Sequence, residues 1–463
     1  MTEEPNSSLS LSREDYLGEL PDDFFDKLPD GAKIYAVGGS VRDRFLPDLE
    51  PRELDLLITG ICEDELLPLL NRFGKARRVG RSFSVIKWYP RKVNPLRPID
   101  VSIPSSRGLG SPKKESEITL EEDLGGRDFT VNAMAFDLAA GELIDPFSGR
   151  DDLRKGILRR VSPDSLFADP LRCLRAAYLA ARCGLSPETD TLKNIQKAAD
   201  KLPEVAPERI AEELKKLLLV LEKPSRALKL WRDWEILPIV LPELAEGVGV
   251  TQEGGWHAWG VFEHNLATAD AAPRKLDVRL AALFHDCGKP RRRRYHPERD
   301  RATFYGHQSV GERMARKALE RLRFSGELIE RVGTLIRNHM FNHAETDRGV
   351  RRFIRRVGED LLDEIFELRF ADIRAQGTGR DETADREYKK RVQKILAARP
   401  PLTSSDLAIG GHDIMEEFHI SEGPKVGKIL GYLLEAVIDD PEVNRRAALM
   451  DLARDFIRSG NID

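Results

Sequence analysis

The spacing of apolar and polar positions divides the chain near residue 150. Before that point apolar residues come as short runs or alternate with polar ones, the period-two signature of strands: Ile34 to Val37, Leu54 to Ile58, Ala76 to Pro90 broken at Gly80, and Pro98 to Ile103. Glu63 to Phe73 carries helical spacing among them, and a short helix is expected around Asp22 to Lys27. Beyond residue 150 the period is close to 3.6, as in Glu212 to Leu221, Lys223 to Trp234, Val278 to His285, Gly311 to Leu322 and Val426 to Ile438. The pattern predicts an α+β protein, a small β-sheet followed by helices. Its 463 residues exceed one ordinary core, so two to four domains are expected.

The first two strands bracket a candidate site. Ile34 to Val37 runs into Gly38-Gly39, passes through Ser40-Val41-Arg42-Asp43 and returns as Glu53-Leu54-Asp55-Leu56-Leu57-Ile58, which reads as strand, glycine turn, helix, strand. Glu53 and Asp55 are two apart and share a face, while Leu54 and Leu56 point into the core. Mg²⁺ takes one or two such carboxylates and completes its shell with water and phosphate oxygens. The glycines let backbone N–H groups approach those phosphates. Asp100 either joins the pair as a third carboxylate or is an exposed strand residue. Pro104 to Thr119, rich in Ser, Gly, Pro and Lys, reads as a flexible loop.

Two later stretches add polar groups at helical spacing. In Gly126-Arg127-Asp128-Phe129-Thr130-Val131-Asn132-Ala133, Asp128 is a plausible helix N-cap with Asn132 on the same face, and Arg127 can grip phosphate with two bonds. In Asp169-Pro170-Leu171-Arg172-Cys173-Leu174-Arg175, Asp169 precedes a helix-starting proline. Asp169 and Arg172, three apart, form either an intrahelical ion pair or an acceptor and donor able to read a base edge. Lys215, Lys216, Arg226 and Lys229 offer charge to RNA phosphates or simply face solvent.

Charge and cysteine usage narrow the field. Lys plus Arg is 74 against 78 Asp plus Glu, a net charge of −4, so nucleic-acid binding must rest on local patches. The four cysteines form no Cys-x-x-Cys pair and read as reduced thiols of a cytoplasmic protein. The first twenty residues carry no apolar signal core and no run of about 18 apolar residues occurs, so neither secretion nor a membrane is expected. All nine histidines follow residue 256. One later domain is therefore expected to use imidazole. His264, His285-Asp286, His307, His339 and Asp372 can build one or two divalent metal sites between helices.

Taken together and in this order, the motifs resemble the class II tRNA nucleotidyltransferase and bacterial poly(A) polymerase (CCA-adding) family, with Gly38-Gly39-Ser40-Val41-Arg42-Asp43, Arg127 to Ala133 and the Asp145-Pro146-Phe147 turn with Gly149 as its marks. Leu283-Phe284-His285-Asp286-Cys287-Gly288-Lys289 resembles the central motif of HD phosphohydrolases, with Lys289 stabilising phosphate. The resemblance implies a small mixed-sheet head, an all-α neck, an HD-type helical body and a helical tail. The corresponding ranges are 1–30 for an extension, 31–150, 151–245, 246–395 and 396–463. It implies template-independent transfer of nucleotides from CTP and ATP to a tRNA 3′ end. Glu53 and Asp55 would be catalytic on Mg²⁺. Gly38, Gly39, Arg42, Asp43, Arg127, Asp128, Asn132, Asp169, Arg172 and Arg175 would bind the nucleotide, with Asp169 and Arg172 choosing it. A divalent transition metal is expected at the HD site. Glu53 stands where the family usually has Asp, Pro47 where Gly is common, and Ala168 where Glu is frequent. Enzymes adding only CC, only A or poly(A) share the motifs. A working HD phosphohydrolase on an inactive transferase head, and a non-catalytic RNA-binding protein, are the readings of other classes.

Overall fold

The structure, a computed structural model, describes residues 11–21, 23–47, 49, 54–79, 85–91, 98–105, 117–253 and 258–460. They form two compact units: residues up to Glu213 with Arg226–Val240, and Leu214–Ser225 with the chain from Leu241 onward.

The first unit is built on seven strands, β1 (Lys33–Val37), β2 (Asp55–Thr59), β3 (Gly74–Val79), β4 (Val85–Pro90), β5 (Ile99–Ser102), β6 (Ala135–Asp137) and β7 (Glu142–Ile144). They lie in the order β3-β4-β5-β2-β1-β6-β7. β2 and β5 run parallel and the other neighbours antiparallel, so the sheet is mixed. Alternation sorts its side chains as expected. Ile34, Ala36, Leu54, Leu56 and Ile58 enter the larger core with Phe24 and Trp88, whereas Tyr35, Val37 and Leu57 pack on the other face with Leu124, Ala133 and Ala135. Asp55 alternates with Leu54 and Leu56 and therefore shares this second face. The larger core receives α2 (Glu63–Phe73), whose Leu66, Leu69 and Leu70 are buried. Between β1 and β2 stands α1 (Gly39–Arg42). α3 (Leu120–Gly125) starts at a Thr119–Glu122 capping box, each side chain bonding the other's backbone N–H. The helix expected at Asp22 to Lys27 is a single 3₁₀ turn at Phe25–Lys27.

Helices follow: α4 (Arg172–Cys183), α5 (Thr189–Ala199), α6 (Pro207–Val220) and α7 (Ser225–Asp233). The second unit contains α8 (Val261–Ala271), α9 (Leu276–Phe284), α10 (His307–Arg321), α11 (Gly326–Asn338), α12 (Asp347–Val357), α13 (Leu362–Ala375) and α14 (Thr383–Ala397). α9 is buried all round, from Val278 to Phe284. A hairpin, β8 (Arg294–His296) with β9 (Arg301–Thr303), separates α9 from α10. The tail packs α15 (Gly411–Phe418), α16 (Pro424–Asp439) and α17 (Arg446–Arg458) around Ile429, Leu433 and Leu449. Among the described residues no helix is long and apolar enough to cross a membrane.

Candidate active site and metal centre

The glycine turn is the centre of the first unit's polar groups. Gly38 has φ +65° and ψ −126°, a conformation open to glycine and strained for any L side chain. A Cβ on it would lie 2.9 Å from Arg127 Nη1 and 4.0 Å from Asp55 Oδ2; one on Gly39 would lie 3.5 Å from Arg42 Nη2 and 3.9 Å from Asp55 Oδ2. One carboxylate and two guanidiniums thus close over bare backbone. Asp55 is in register with Asp100 on the parallel neighbour strand, so both carboxylates occupy one face. Lys87, in register with Asp100 on β4, sets its Nζ 2.7 Å from Asp100 Oδ1. Glu53 lies outside the described residues, as does 106–116 of the loop.

Behind the turn runs a chain of buried and part-buried hydrogen bonds. Arg42 donates to Asn132 Oδ1 and, through Nε, to Asp43 Oδ1 at 2.9 Å; Asp43 Oδ2 also receives Arg182 Nη2 at 2.6 Å. Asn132 Nδ2 in turn donates to Asp128 Oδ1 at 2.9 Å. Asp128 is not the N-cap that the spacing predicts. The element is one 3₁₀ turn, Thr130–Asn132, without a side-chain cap, and Asp128 accepts from Phe129 N at 2.9 Å and from the Asn132 side chain. β6 begins three residues later and leaves no room for a helix. The turn is backed by residues 149–154. A Cβ on Gly149 would meet Thr130 O at 2.1 Å, Asp145 accepts from Gly149 N and Arg150 N, and Thr130 Oγ1 donates to Asp152 at 2.8 Å. Burial alone would raise the Asp128 pKa, but Arg175, the Asn132 hydrogen bond and Arg172 hold it below the ordinary carboxylate value.

Asp169 and Arg172 do not share a helix. Asp169 is extended, at φ −142°, and α4 starts only at Arg172. Asp169 Oδ2 binds Arg209 Nη2 at 2.8 Å, and its Oδ1 accepts from Leu171 N at 3.3 Å. Arg172 spends its fork on the carbonyls of Gly126, Arg127 and Ser165, at 2.6, 3.1 and 3.2 Å. Arg175 Nε donates to Glu213 Oε1 at 2.7 Å. Arg209, Glu213 and Arg182 therefore belong to this constellation, although the sequence analysis did not single them out. The four-residue spacing of Arg209 and Glu213 on α6 was the only local sign, because their partners lie about 40 residues away.

In the second unit, six donors from five helices meet. His264 comes from α8, His285 and Asp286 from the end of α9, His307 from the start of α10, His339 from the end of α11 and Asp372 from α13. Nδ1 of His285, His307 and His339 faces the carbonyls of Ala282, Phe304 and Ile336 at 2.8, 2.9 and 2.8 Å. Those bonds require a proton on Nδ1 and, in a neutral ring, leave Nε2 as a lone pair. Burial, with His285 and His307 nearby, pushes the His339 pKa down to about 3, keeping it neutral. Yet the Nε2 atoms of His307 and His339 face one another at 3.3 Å, as do those of His264 and His285. For His307 and His339, whose Nδ1 atoms both donate to carbonyls, opposed lone pairs at that distance repel unless a cation lies between them. Asp286 joins both groups: Oδ1 is 3.1 Å from His307 Nε2, and Oδ2 is 3.3 Å from His285 Nε2. Asp372 Oδ1 lies 3.0 Å from His264 Nε2. Lys289 Nζ is 2.5 Å from Asp286 Oδ2 and 2.7 Å from Gln252 Oε1. A cavity of about 650 Å³ opens onto the cluster and is also lined by Arg301, Arg369 and Arg380.

Comparison with known proteins fits both sites. Residues 34–159 match the family description "Poly A polymerase head domain", 184–247 "Probable RNA and SrmB- binding site of polymerase A" and 257–377 "HD domain". The chain is 38% identical to the A-adding tRNA nucleotidyltransferase of Deinococcus radiodurans over 68% of this chain and 75% of that protein. It is 35% identical to the CC-adding tRNA nucleotidyltransferase of Thermus thermophilus, over 91% of this chain and 92% of that one. The chain belongs to the tRNA nucleotidyltransferase family. Its fold matches the Bacillus stearothermophilus CCA-adding enzyme, solved in complex with CTP, with TM-score 0.61 and 23% identity over 93% of this chain and 95% of that one.

Nucleotidyltransferase and HD domains typically use divalent metal ions, and the donor sets of this nucleotidyltransferase suit them: carboxylates beside a glycine cradle in one unit, imidazoles with two shared or flanking carboxylates in the other. The four basic candidates for RNA contact divide between the units. Arg226 and Lys229 are exposed in the first; in the second, Lys216 is exposed and Lys215 is half-buried, its Nζ 5.2 Å from the Phe324 ring centroid.

Proposed function

We propose that this tRNA nucleotidyltransferase adds CCA, or part of it, to the tRNA 3′ end without a nucleic-acid template, using CTP and ATP and releasing pyrophosphate. The observation that carries the reading is the closure of Asp55, Arg42 and Arg127 over Gly38 and Gly39, where a Cβ would fill the space a phosphate chain needs. Glu53 and Asp55 would hold Mg²⁺, with Asp100 beside Asp55. When bound, Mg²⁺ lowers the pKa of the attacking hydroxyl and neutralises charge on the α-phosphate and pyrophosphate. Arg42 and Arg127 orient the triphosphate, and Asn132, clamped between Arg42 and Asp128, presents its amide to sugar or base. Asp169, Arg172 and Arg175, with Arg209 fixing Asp169, shape the nucleotide-selecting end. The cytoplasm, which holds tRNA, CTP and ATP together, is the expected compartment.

The test uses tRNA lacking its last three, two or one nucleotides, incubated with Mg²⁺ and CTP, ATP or both. Completion of all three establishes full CCA addition; extension of one type alone assigns a partial activity. Long A tails on unrelated RNA would make it a poly(A) polymerase.

A second reading concerns the histidine cluster: metal-dependent hydrolysis of a phosphoester. The opposed Nε2 atoms of His307 and His339 favour it; imidazole donors suit Fe, Ni, Cu or Zn, and the carboxylates suit Mn. In that reaction a water oxygen bonds to phosphorus, the ester P–O bond breaks and the leaving oxygen takes a proton. Hydrolysis of nucleoside phosphates with each metal, lost in Asp286→Asn, supports it; no turnover with any metal leaves the cluster a structural one.

A further inference from the structure

Next to the HD cavity the second unit carries a run of four arginines, Arg291 to Arg294, only half of which is neutralised. Arg291 binds Glu246 at 2.8 and 2.6 Å, and Arg293 binds Glu253 at 2.5 Å. Among the described residues no carboxylate pairs with Arg292 or Arg294. Arg292 instead donates from Nε to the Tyr305 carbonyl at 2.9 Å. Arg294 stands opposite Thr303 in the hairpin. These residues line a pocket of about 230 Å³ whose wall is completed by Thr303 and Tyr305, and both of those also line the HD cavity. The basic pocket and the metal cavity therefore share a wall. Tyr305 is 80% exposed, and it precedes by two residues His307, a donor of the metal cluster. A flat aromatic beside two unpaired guanidiniums is what a base and its phosphate need.

We propose that Arg292, Arg294 and Tyr305 form a subsite for single-stranded RNA that extends the HD cavity: Tyr305 stacks one base and the arginines hold its phosphodiester, while the terminal phosphate enters the cavity towards Lys289 and the histidines. The inference rests on the phosphohydrolase reading of the cluster and defines its substrate class as an RNA end rather than a free nucleotide.

The full-length protein, loaded with Mn²⁺, is assayed on a mononucleotide 3′-phosphate and on a tetranucleotide with the same terminal phosphate. The tetranucleotide KM is expected to be about ten-fold lower. Arg292→Ala/Arg294→Ala raises it to the mononucleotide value and leaves the mononucleotide KM unchanged; Tyr305→Ala does the same and Tyr305→Phe restores it. A second readout needs no turnover. Fluorescence anisotropy of a 5′-labelled tetranucleotide 3′-phosphate on metal-free protein should lose about ten-fold in affinity in the double variant. The slope of log affinity against log salt should shrink by about 1.4, for two phosphate contacts on a single strand. Hydrolysis of both substrates with equal KM in the parent and the variants overturns the subsite and leaves the phosphohydrolase reading standing. Hydrolysis of neither overturns that reading, while the anisotropy still decides the subsite: unchanged affinity and slope overturn it.

Discussion

At the scale of single residues, the transferase site is a matter of close approach. Arg127 Nη1 closes on Gly38 only because that residue carries no Cβ, with Asp55 Oδ2 alongside, and the φ of +65° at Gly38 is one that glycine adopts without strain. Removing the Asp55 charge should cost the reaction several kcal/mol of charge stabilisation. Asp55→Asn is expected to lower tRNA extension by about a thousand-fold or more at unchanged folding, read from single-turnover rates and circular dichroism. The cysteines offer a separate check on burial. Burial first, and then the Asp169 carboxylate, push the Cys173 thiol up to about 12, so it stays protonated at pH 9, where an ordinary thiol is largely thiolate. Iodoacetamide at pH 9 should therefore modify the exposed Cys62 in the folded protein and leave Cys173 untouched until denaturant is added. Labelling of Cys173 at the rate of Cys62 would contradict the packing described.

At the scale of elements, the 3₁₀ turn Thr130–Asn132 links the glycine turn, through Arg42, to Asp128, and helix 149–154 backs it. Gly149→Ala would drive a methyl into Thr130 O, at 2.1 Å, so backbone must move. We expect a loss of about 2–4 kcal/mol in denaturant unfolding, the range of overpacking with backbone displacement, and a higher KM for the nucleotide through the Asn132–Arg42 bond. Strand alternation was legible in the sequence because its period is local: Leu54 and Leu56 fall in the core, and helix 63–73 begins and ends where its apolar spacing does. The Asp128 cap and the Asp169–Arg172 pair were misread for one reason. Both assumed a continuing helix; instead Asp128 bonds Asn132, four residues on, within a 3₁₀ turn, and Asp169 is taken by Arg209, remote in sequence.

At the scale of the whole molecule, two units carry two separate polar centres, and each can be perturbed alone. A metal that binds the folded second unit and not its unfolded chain should stabilise that unit by about 2.7 kcal/mol when present at a hundred times its dissociation constant. Differential scanning calorimetry is expected to show one transition rising on addition of Mn²⁺ and falling with a chelator, the other staying within its error. Asp286→Asn should abolish the difference, because that carboxylate joins both histidine groups. A transition insensitive to every divalent ion would remove the metal centre from the account.

The sequence alone determined what depends on neighbours in the chain: strands from alternation, helices from 3.6-residue spacing, the Gly-Gly turn and the order of the motifs that tie the chain to its family. The nature of the imidazole-rich domain was likewise visible in residue type and position. Tertiary structure decided which of those groups meet. Asp100 came to lie beside Asp55 through a parallel strand pairing that no local pattern encodes. Arg209, Glu213 and Arg182 entered the site through contacts spanning about 40 residues or more. The histidines separated into two opposed pairs around Asp286 because helix packing, rather than spacing along the chain, sets the direction of each Nε2. Local periodicity reports the face on which a side chain stands; its partner is chosen by the packing of elements distant in sequence.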